Sequence, residues 1–449
     1  MSQTAGQAEP RVAPGAGAAQ PIDGDEFLTV GGLVTVRREA AKRRLRMALA
    51  EIEQMSRENK WADVLAMFHP VAEKLPELAD HGLEARVREK TAFALGQLKR
   101  FDEAIAELEA CIQREPDNFH AHSSLAYTAY NSLYAGKNRE ILLSGHVRAE
   151  RIRLAHRHFQ AAQALRPDGV TCFYREGMLW RQIEGKDEKA LPLFQRAVAN
   201  WEKLSEEERQ ARHQERKNYI KALYQLAGTL AAAGRPQAAL PLLKRCLAED
   251  ERSGHLSLVF KYFALGKLHY LLNSFGEARD ALLFALRCRG DGPVDFVHEL
   301  LGRVYLGLGE AERALEAVRG VPERQRRPYV RWTEADVLCA LGRLPEAKQV
   351  LVRALERDNR SRHKTLVRLC RIEYLQGETR KAGEHAAEAD RFFREKWGNP
   401  CADGLFWQAA CALRLGEREA AAKLAEELRA FRPNHELLGK LLAKLGRSG

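Results

Sequence analysis

The stretch Leu301-Gly-Arg-Val-Tyr-Leu-Gly-Leu-Gly-Glu-Ala-Glu-Arg-Ala-Leu-Glu-Ala-Val318 decides how the rest of the chain is read. Apolar residues recur through it at helical intervals, Gly309 interrupts them, and Ala314 stands five residues past the break. The same unit, a turn residue and then a small residue five places on, recurs along the sequence. Gly342 leads to Ala347, Gly377 to Ala382 and Gly416 to Ala421. Gly185 leads to Ala190, Gly234 to Ala239 and Asn273 to Ala278. Lys99 to Ala104 and Asn59 to Val64 are weaker copies, and Ala155 anchors another. Self-similarity at a nearly fixed period is the mark of an array built from one supersecondary unit.

Successive anchors lie between 33 and 51 residues apart. The short end of that range fits two helices of ~14 residues with two short turns, an αα-hairpin. The surplus is localised in two insertions, near 132–148 and 201–217. Turn signals at Pro76, Pro116, Pro167 and Pro433 follow helical stretches. The expected fold class is all-α, with helices from about residue 37 to 446 and no persuasive strand after residue 40. Residues 1–25 are rich in Ala, Gly, Pro and Gln and are expected to be a disordered tail. Residues 26–36 hold two β-prone triplets around Gly31-Gly32 and read as an extended arm or short hairpin.

A chain of 449 residues is too long for one core, which stops growing at about 250–300 residues. An array escapes that limit because each unit touches only its neighbours. Lys and Arg outnumber Asp and Glu by 72 to 61, a formal charge of +11, which permits acidic partners or nucleic acid. The eight cysteines form no CxxC pair and most fall within apolar helical patterns, so they read as small core residues. His120/His122 and His156/His158 are each two apart and diverge on a helix, so no metal site is expected. With neither a signal-peptide pattern nor a run of ~18 apolar residues, a cytoplasmic protein without membrane partners is expected.

These residues resemble the tetratricopeptide repeat. Leu265-Gly266 with Ala278 and Ala285 matches its pattern, as does Leu301-Gly302 with Tyr305 and Ala314. Ala155, Phe159, Ala162 and Pro167 match the second half, as do Ala190, Phe194 and Ala197. The resemblance covers residues from about 50 to 442, and it implies a right-handed superhelical solenoid of about ten helix-turn-helix repeats. Val64 in place of the anchor alanine, and Asn59, Lys99 and Asn273 in place of the turn glycine, depart from the pattern.

In such proteins the first helix of each repeat lines an inner, concave face, so the resemblance lets positions be projected by counting back from the anchors. Tyr127, Tyr130 and Asn131 fall on that face in the third repeat. Arg175 and Gln182, Lys221 and Tyr224, and Lys267 and Tyr270 follow. Glu299 and Arg303, Tyr329 and Trp332, and Lys364, Arg371 and Tyr374 complete the set. Cations beside amphipathic rings suit an extended peptide with acidic or aromatic side chains, although a solenoid also needs aromatics for packing between repeats. The Lys and Asn clamp with which some family members hold a terminal carboxylate has no convincing copy here.

Three basic clusters stand out. Arg37, Arg38, Lys42, Arg43, Arg44 and Arg46 form the first; the second surrounds Arg319–Arg331, and the third runs from Arg353 to Arg371. Solvated helix faces account for most such charge, and the first cluster is the best candidate for an acidic partner or for nucleic acid. No phosphate loop, H-E-x-x-H or G-x-S-x-G motif occurs. The expectation is a non-enzymatic scaffold or adaptor without cofactor or metal, binding a protein partner as subunit or regulator of a larger complex. The alternative is a nucleic-acid-associated regulator.

Overall fold

The computed structural model describes residues 30–75, 83–290 and 292–446, and among them it is all-α. The chain divides into two compact units, one ending at Lys186 and the other beginning at Asp187. The first unit holds α1 (Val30–Arg57), α2 (Trp61–Phe68), α3 (Val71–Lys74), α4 (Glu84–Gln97) and α5 (Phe101–Arg114). It continues through α6 (Phe119–Lys137), α7 (Gly145–Leu165) and α8 (Thr171–Met178) into a π-helical turn, Leu179–Glu184. The second unit holds α9 (Asp187–Glu202), α10 (Glu206–Ala211), α11 (His213–Ala232), α12 (Pro236–Glu249), α13 (Leu258–Leu271) and α14 (Phe275–Arg287). There follow α15 (Asp295–Gly307), α16 (Ala311–Arg319), α17 (Pro328–Ala340) and α18 (Leu344–Arg357). The last are α19 (Arg362–Gln376), α20 (Thr379–Trp397), α21 (Ala402–Arg414), α22 (Arg418–Phe431) and α23 (Leu438–Gly446).

Within each unit consecutive helices pack as hairpins: α4 with α5 and α6 with α7 in the first, then α11/α12 through α21/α22 in the second. The anchors explain why. Val64, Ala104, Ala155, Ala190, Ala239, Ala278, Ala314, Ala347, Ala382 and Ala421 are all 0% exposed, and in the hairpins α4/α5, α6/α7 and α11/α12 through α21/α22 the returning small residue sits buried in the second helix. The facing residue is also small. A Cβ on Gly302 would lie 2.4 Å from Val318 Cγ2, and one on Gly266 would lie 2.7 Å from Leu282 Cγ. Only side chains of this size let the two backbones approach.

The turns follow the same logic. Gly234, Gly309, Gly342, Gly377 and Gly416 have φ between +73° and +87°, the left-handed conformation that closes a helix. Asn59, Lys99 and Asn273, the departures from glycine, adopt it too, at φ 57°, 63° and 58°. Backbone geometry is therefore kept where the residue type is not.

The extended arm expected over 26–36 does not form over its described part, because Val30 to Val36 are the opening turns of α1. A hairpin here has no sheet to join and is marginal alone. A helix continues an existing hydrogen-bond ladder at about 1 kcal/mol per glycine. Residues 26–29 and the tail expected over 1–25 lie outside the described residues. Further along α1, Ala41, Leu45, Ala48 and Ile52 are buried in one stripe against α2 and α4. The stretch 132–148 lengthens α6 and α7 and leaves a short connection from 138 to 144. The stretch 201–217 carries α10, opened by a capping box between Ser205 and Glu208.

Candidate partner-binding face

In the second unit the first helices of successive hairpins are α11, α13, α15, α17, α19 and α21. One arrangement recurs along them: a ring on one first helix lies under a cation from the next. The Arg303 guanidinium stands 4.9 Å from the Tyr270 ring centroid and donates to the Tyr270 hydroxyl at 3.1 Å. Arg368 and Lys364 stand 5.2 and 5.6 Å from the Trp332 centroid. Arg414 lies 4.6 Å from the Tyr374 centroid and donates to the Tyr374 carbonyl at 2.6 Å. Each stack contributes about 0.5–1 kcal/mol at exposed sites and holds a long side chain in place.

Acidic residues on this face are few and engaged. Thr333 donates to Glu299 at 2.7 Å, and Arg368 approaches Asp336 at 3.3 Å. Burial pushes the Glu299 carboxyl up, against the bond from Thr333 and the charge of Arg303. Lys267 and Arg371 are exposed and have no ion-pair partner among the described residues. Phe260, 52% exposed on α13, stacks on Phe296 of α15 at 5.7 Å and adds an apolar patch to the face.

Other projected residues serve packing contacts. Tyr329 donates its hydroxyl to the buried Asp295, and burial together with that carboxylate pushes the phenol up. Trp332 Nε1 donates to Thr365 at 2.8 Å while its ring stays half-exposed. Lys221 and Tyr224 are half-buried, and the Tyr224 hydroxyl reaches the Phe260 carbonyl at 3.5 Å.

In the first unit, Arg175 lies 3.7 Å from the Tyr127 ring centroid, the same arrangement again. Burial lowers the Arg175 pKa. Tyr127, Tyr130 and Tyr134 stack along α6 at 6.2 Å spacings, and Asn131 beside them is half-buried. Tyr130 is buried and donates to Gln182 at 3.0 Å, while Lys137 bonds the Gln182 carbonyl at 2.6 Å. Tyr130 and Gln182 thus join α6 to the π-helical turn.

The basic clusters divide. In the second, Arg319 and Arg326 both bond the buried Glu334, Arg331 is buried, and Arg327 lies 3.5 Å from Asp295. In the third, Arg353 pairs with Glu323 and Arg362 with Glu388. In the first, Lys42 pairs with Glu39, and Arg44 also has a partner. Arg37, Arg38, Arg43 and Arg46 are exposed on α1 with no ion-pair partner among the described residues.

Sequence reasoning missed Arg368, Trp407 and Arg414. Arg368 and Trp407 each stand fourteen residues before an anchor, Ala382 and Ala421, one residue off the fifteen that selects Arg175, Glu299 and Trp332. Among the described residues no cluster of three or more His, Cys, Asp or Glu is placed to hold a metal. No described helix is long and apolar enough to cross a membrane.

Family models of the tetratricopeptide repeat match residues 144–204 and 90–118. No curated protein matches the sequence. Among solved structures, a tetratricopeptide repeat protein from Parabacteroides merdae is 14% identical, covering 61% of this chain and 98% of that one, with a TM-score of 0.46. PilW, a widely conserved type IV pilus biogenesis factor, is 17% identical over 50% of this chain and 98% of its own, with a TM-score of 0.40. Pseudomonas aeruginosa pilF is 19% identical over 51% and 99%, with a TM-score of 0.37.

Proposed function

Because the chain is a tetratricopeptide-repeat protein, we propose that it is an interaction scaffold whose second unit holds an extended acidic segment of a protein partner along its first helices. The observation that carries this reading is the recurrence of a cation seated on a ring at Tyr270/Arg303, Trp332/Arg368 and Tyr374/Arg414. A guanidinium already stacked on an aromatic face needs little further ordering to meet a carboxylate, so the scaffold side loses little entropy on binding. Tyr, Trp and Arg are also the residues that carry most interface energy. On this reading the protein acts as an adaptor or regulatory subunit rather than an enzyme. Its eight cysteines are all thiols, as fits a reducing compartment such as the cytoplasm.

Charge reversal tests it. The double variant Lys267→Glu/Arg303→Glu should bind Asp/Glu-rich peptides on an array at least about tenfold more weakly, with helical circular dichroism and melting temperature unchanged. A matching loss of helix would show that these side chains serve folding instead. A second reading, binding of nucleic-acid phosphates, is favoured by the four exposed arginines of α1 alone.

A further inference from the structure

At the C-terminal end of the second unit, α23 faces α21 across a cavity of about 470 Å³. Its walls are the rings of Tyr374, Phe406 and Trp407 with Leu437 and Leu441, and its rim carries Arg414, Lys440 and Lys444, with no acidic lining residue among the described residues. We propose that this cavity is the anchoring site of the scaffold. It takes an aromatic or leucine side chain of the bound acidic segment, whose neighbouring carboxylate sits on Arg414 and Lys440. The proposal rests on the reading above and adds where, and by which side chain, the segment is fixed.

Three observations carry it. First, the rings are held before any ligand arrives. Trp407 meets Tyr374 edge-on at 5.5 Å and Phe406 at 5.3 Å, so the aromatic wall is braced from both sides. All three rings are nevertheless only half-buried. Second, the cavity is within the range of about 300–1,000 Å³ over which ligand pockets enclose their occupants. Ala410 is the smallest of its lining residues. Third, the charge is one-sided. Arg414 is fixed over Tyr374 but has no carboxylate partner among the described residues, and Lys440 is exposed with none either. An apolar pocket with a cationic rim selects an apolar side chain flanked by acid, because a lone apolar ligand leaves the rim unused and a lone anion leaves the walls wet. Tyr374, Trp407 and Arg414 belong to the same first-helix row as the stacked cations, which makes a chain segment rather than a small anion the fitting occupant.

The test uses the full chain and fluorescein-labelled peptides read by anisotropy. One peptide is Asp-Glu-Asp-Glu-Phe-Leu-Glu-Asp; the second replaces Phe-Leu by Ser-Gly; the third replaces every carboxylate by its amide. The first should bind at least about tenfold more tightly than either of the others. Ala410→Trp fills the cavity, and Lys440→Glu reverses the rim on the surface, where folding is not at stake. Each should weaken the first peptide by about tenfold or more, with the helical circular dichroism of both variants unchanged. If the Ser-Gly peptide binds as tightly as the first, or if both variants leave the first peptide unaffected, the anchoring site is overturned while the acidic-segment reading stands. Failure of all three peptides to bind overturns both.

Discussion

At the scale of single residues, two glycines of one hairpin illustrate two different constraints. Gly309 is a backbone requirement: φ is +78°, and a Cβ there would meet nothing within 4 Å. Gly302 is a packing requirement, since its Cβ would enter Val318 and press on the Ala314 carbonyl at 3.3 Å. Gly309→Ala should therefore cost about 1–2 kcal/mol, the penalty of a left-handed residue with a Cβ. Gly309→Asn should recover part of that, because Asn tolerates the conformation and already adopts it at Asn273. Gly302→Ala should cost about 1–3 kcal/mol through overpacking, and Gly302→Ser should give no recovery. Urea unfolding of the four variants separates the cases; equal behaviour of Ala and Asn at position 309 would show that the turn is not under backbone constraint. The sequence pattern had already marked both positions, because the rules that select a left-handed turn and a close helix crossing act on residue type alone. It could not show that Lys99 keeps the turn despite its side chain.

At the scale of elements, two of the three histidines of α7, His156 and His158, meet different surroundings. His158 is buried against His122, with the two Nδ1 atoms 2.8 Å apart, while His122 Nε2 reaches the Pro116 carbonyl at 2.8 Å. The carbonyl needs an N–H, so His122 donates from Nε2 and accepts at Nδ1 from the Nδ1–H of His158. Burial, with His122 and Arg157 nearby, pushes His158 down to about 4 from 6.5. The folded state thus resists a proton that the unfolded chain accepts. Its contribution is complete above pH 6.5, fades as pH falls, and is gone below about 4, amounting to about 3 kcal/mol at most. His156, two residues earlier, behaves oppositely. Burial lowers it, but Glu176 and Glu184 at 2.8 and 2.7 Å raise it further, so its contribution is full below pH 6.5 and is lost as pH rises through the raised value. Amide exchange along α6 and α7 should accelerate between pH 6.5 and 4.5, after correction for intrinsic rates. His158→Gln should flatten that dependence; an unchanged profile would remove the buried pair as its cause. Spacing in the sequence showed that the two histidines diverge on the helix. Their partners, and the π-helical turn that brings up Glu184, depend on packing that no local pattern encodes.

At the scale of the whole molecule, the repeat period was legible because every hairpin solves the same packing problem with the same small residues. The candidate face was legible only in part. Counting from anchors found Tyr270, Arg303, Trp332 and Tyr374, but a count cannot tell Tyr329, whose hydroxyl is held by Asp295, from a ring left half-open to solvent. Nor could composition say which of the basic clusters is neutralised internally, since the Glu334 that absorbs Arg319 and Arg326 is brought to them by the fold. What remains of the +11 charge on α1 and on the second unit sets the last expectation. If binding were to nucleic-acid phosphates, affinity would fall by about 10³–10⁵ between 50 and 200 mM salt for ~6–10 contacts. A segment held by a few carboxylates and an apolar anchor loses far less, because burial of apolar surface does not weaken with added salt. Random single-stranded RNA and the anchored acidic peptide should therefore be titrated in parallel across that range. The peptide should keep most of its affinity at 200 mM, and the quadruple variant Arg37→Glu/Arg38→Glu/Arg43→Glu/Arg46→Glu should leave it unchanged. Tight RNA binding at 200 mM that this variant abolishes would transfer the function from the second unit's face to α1.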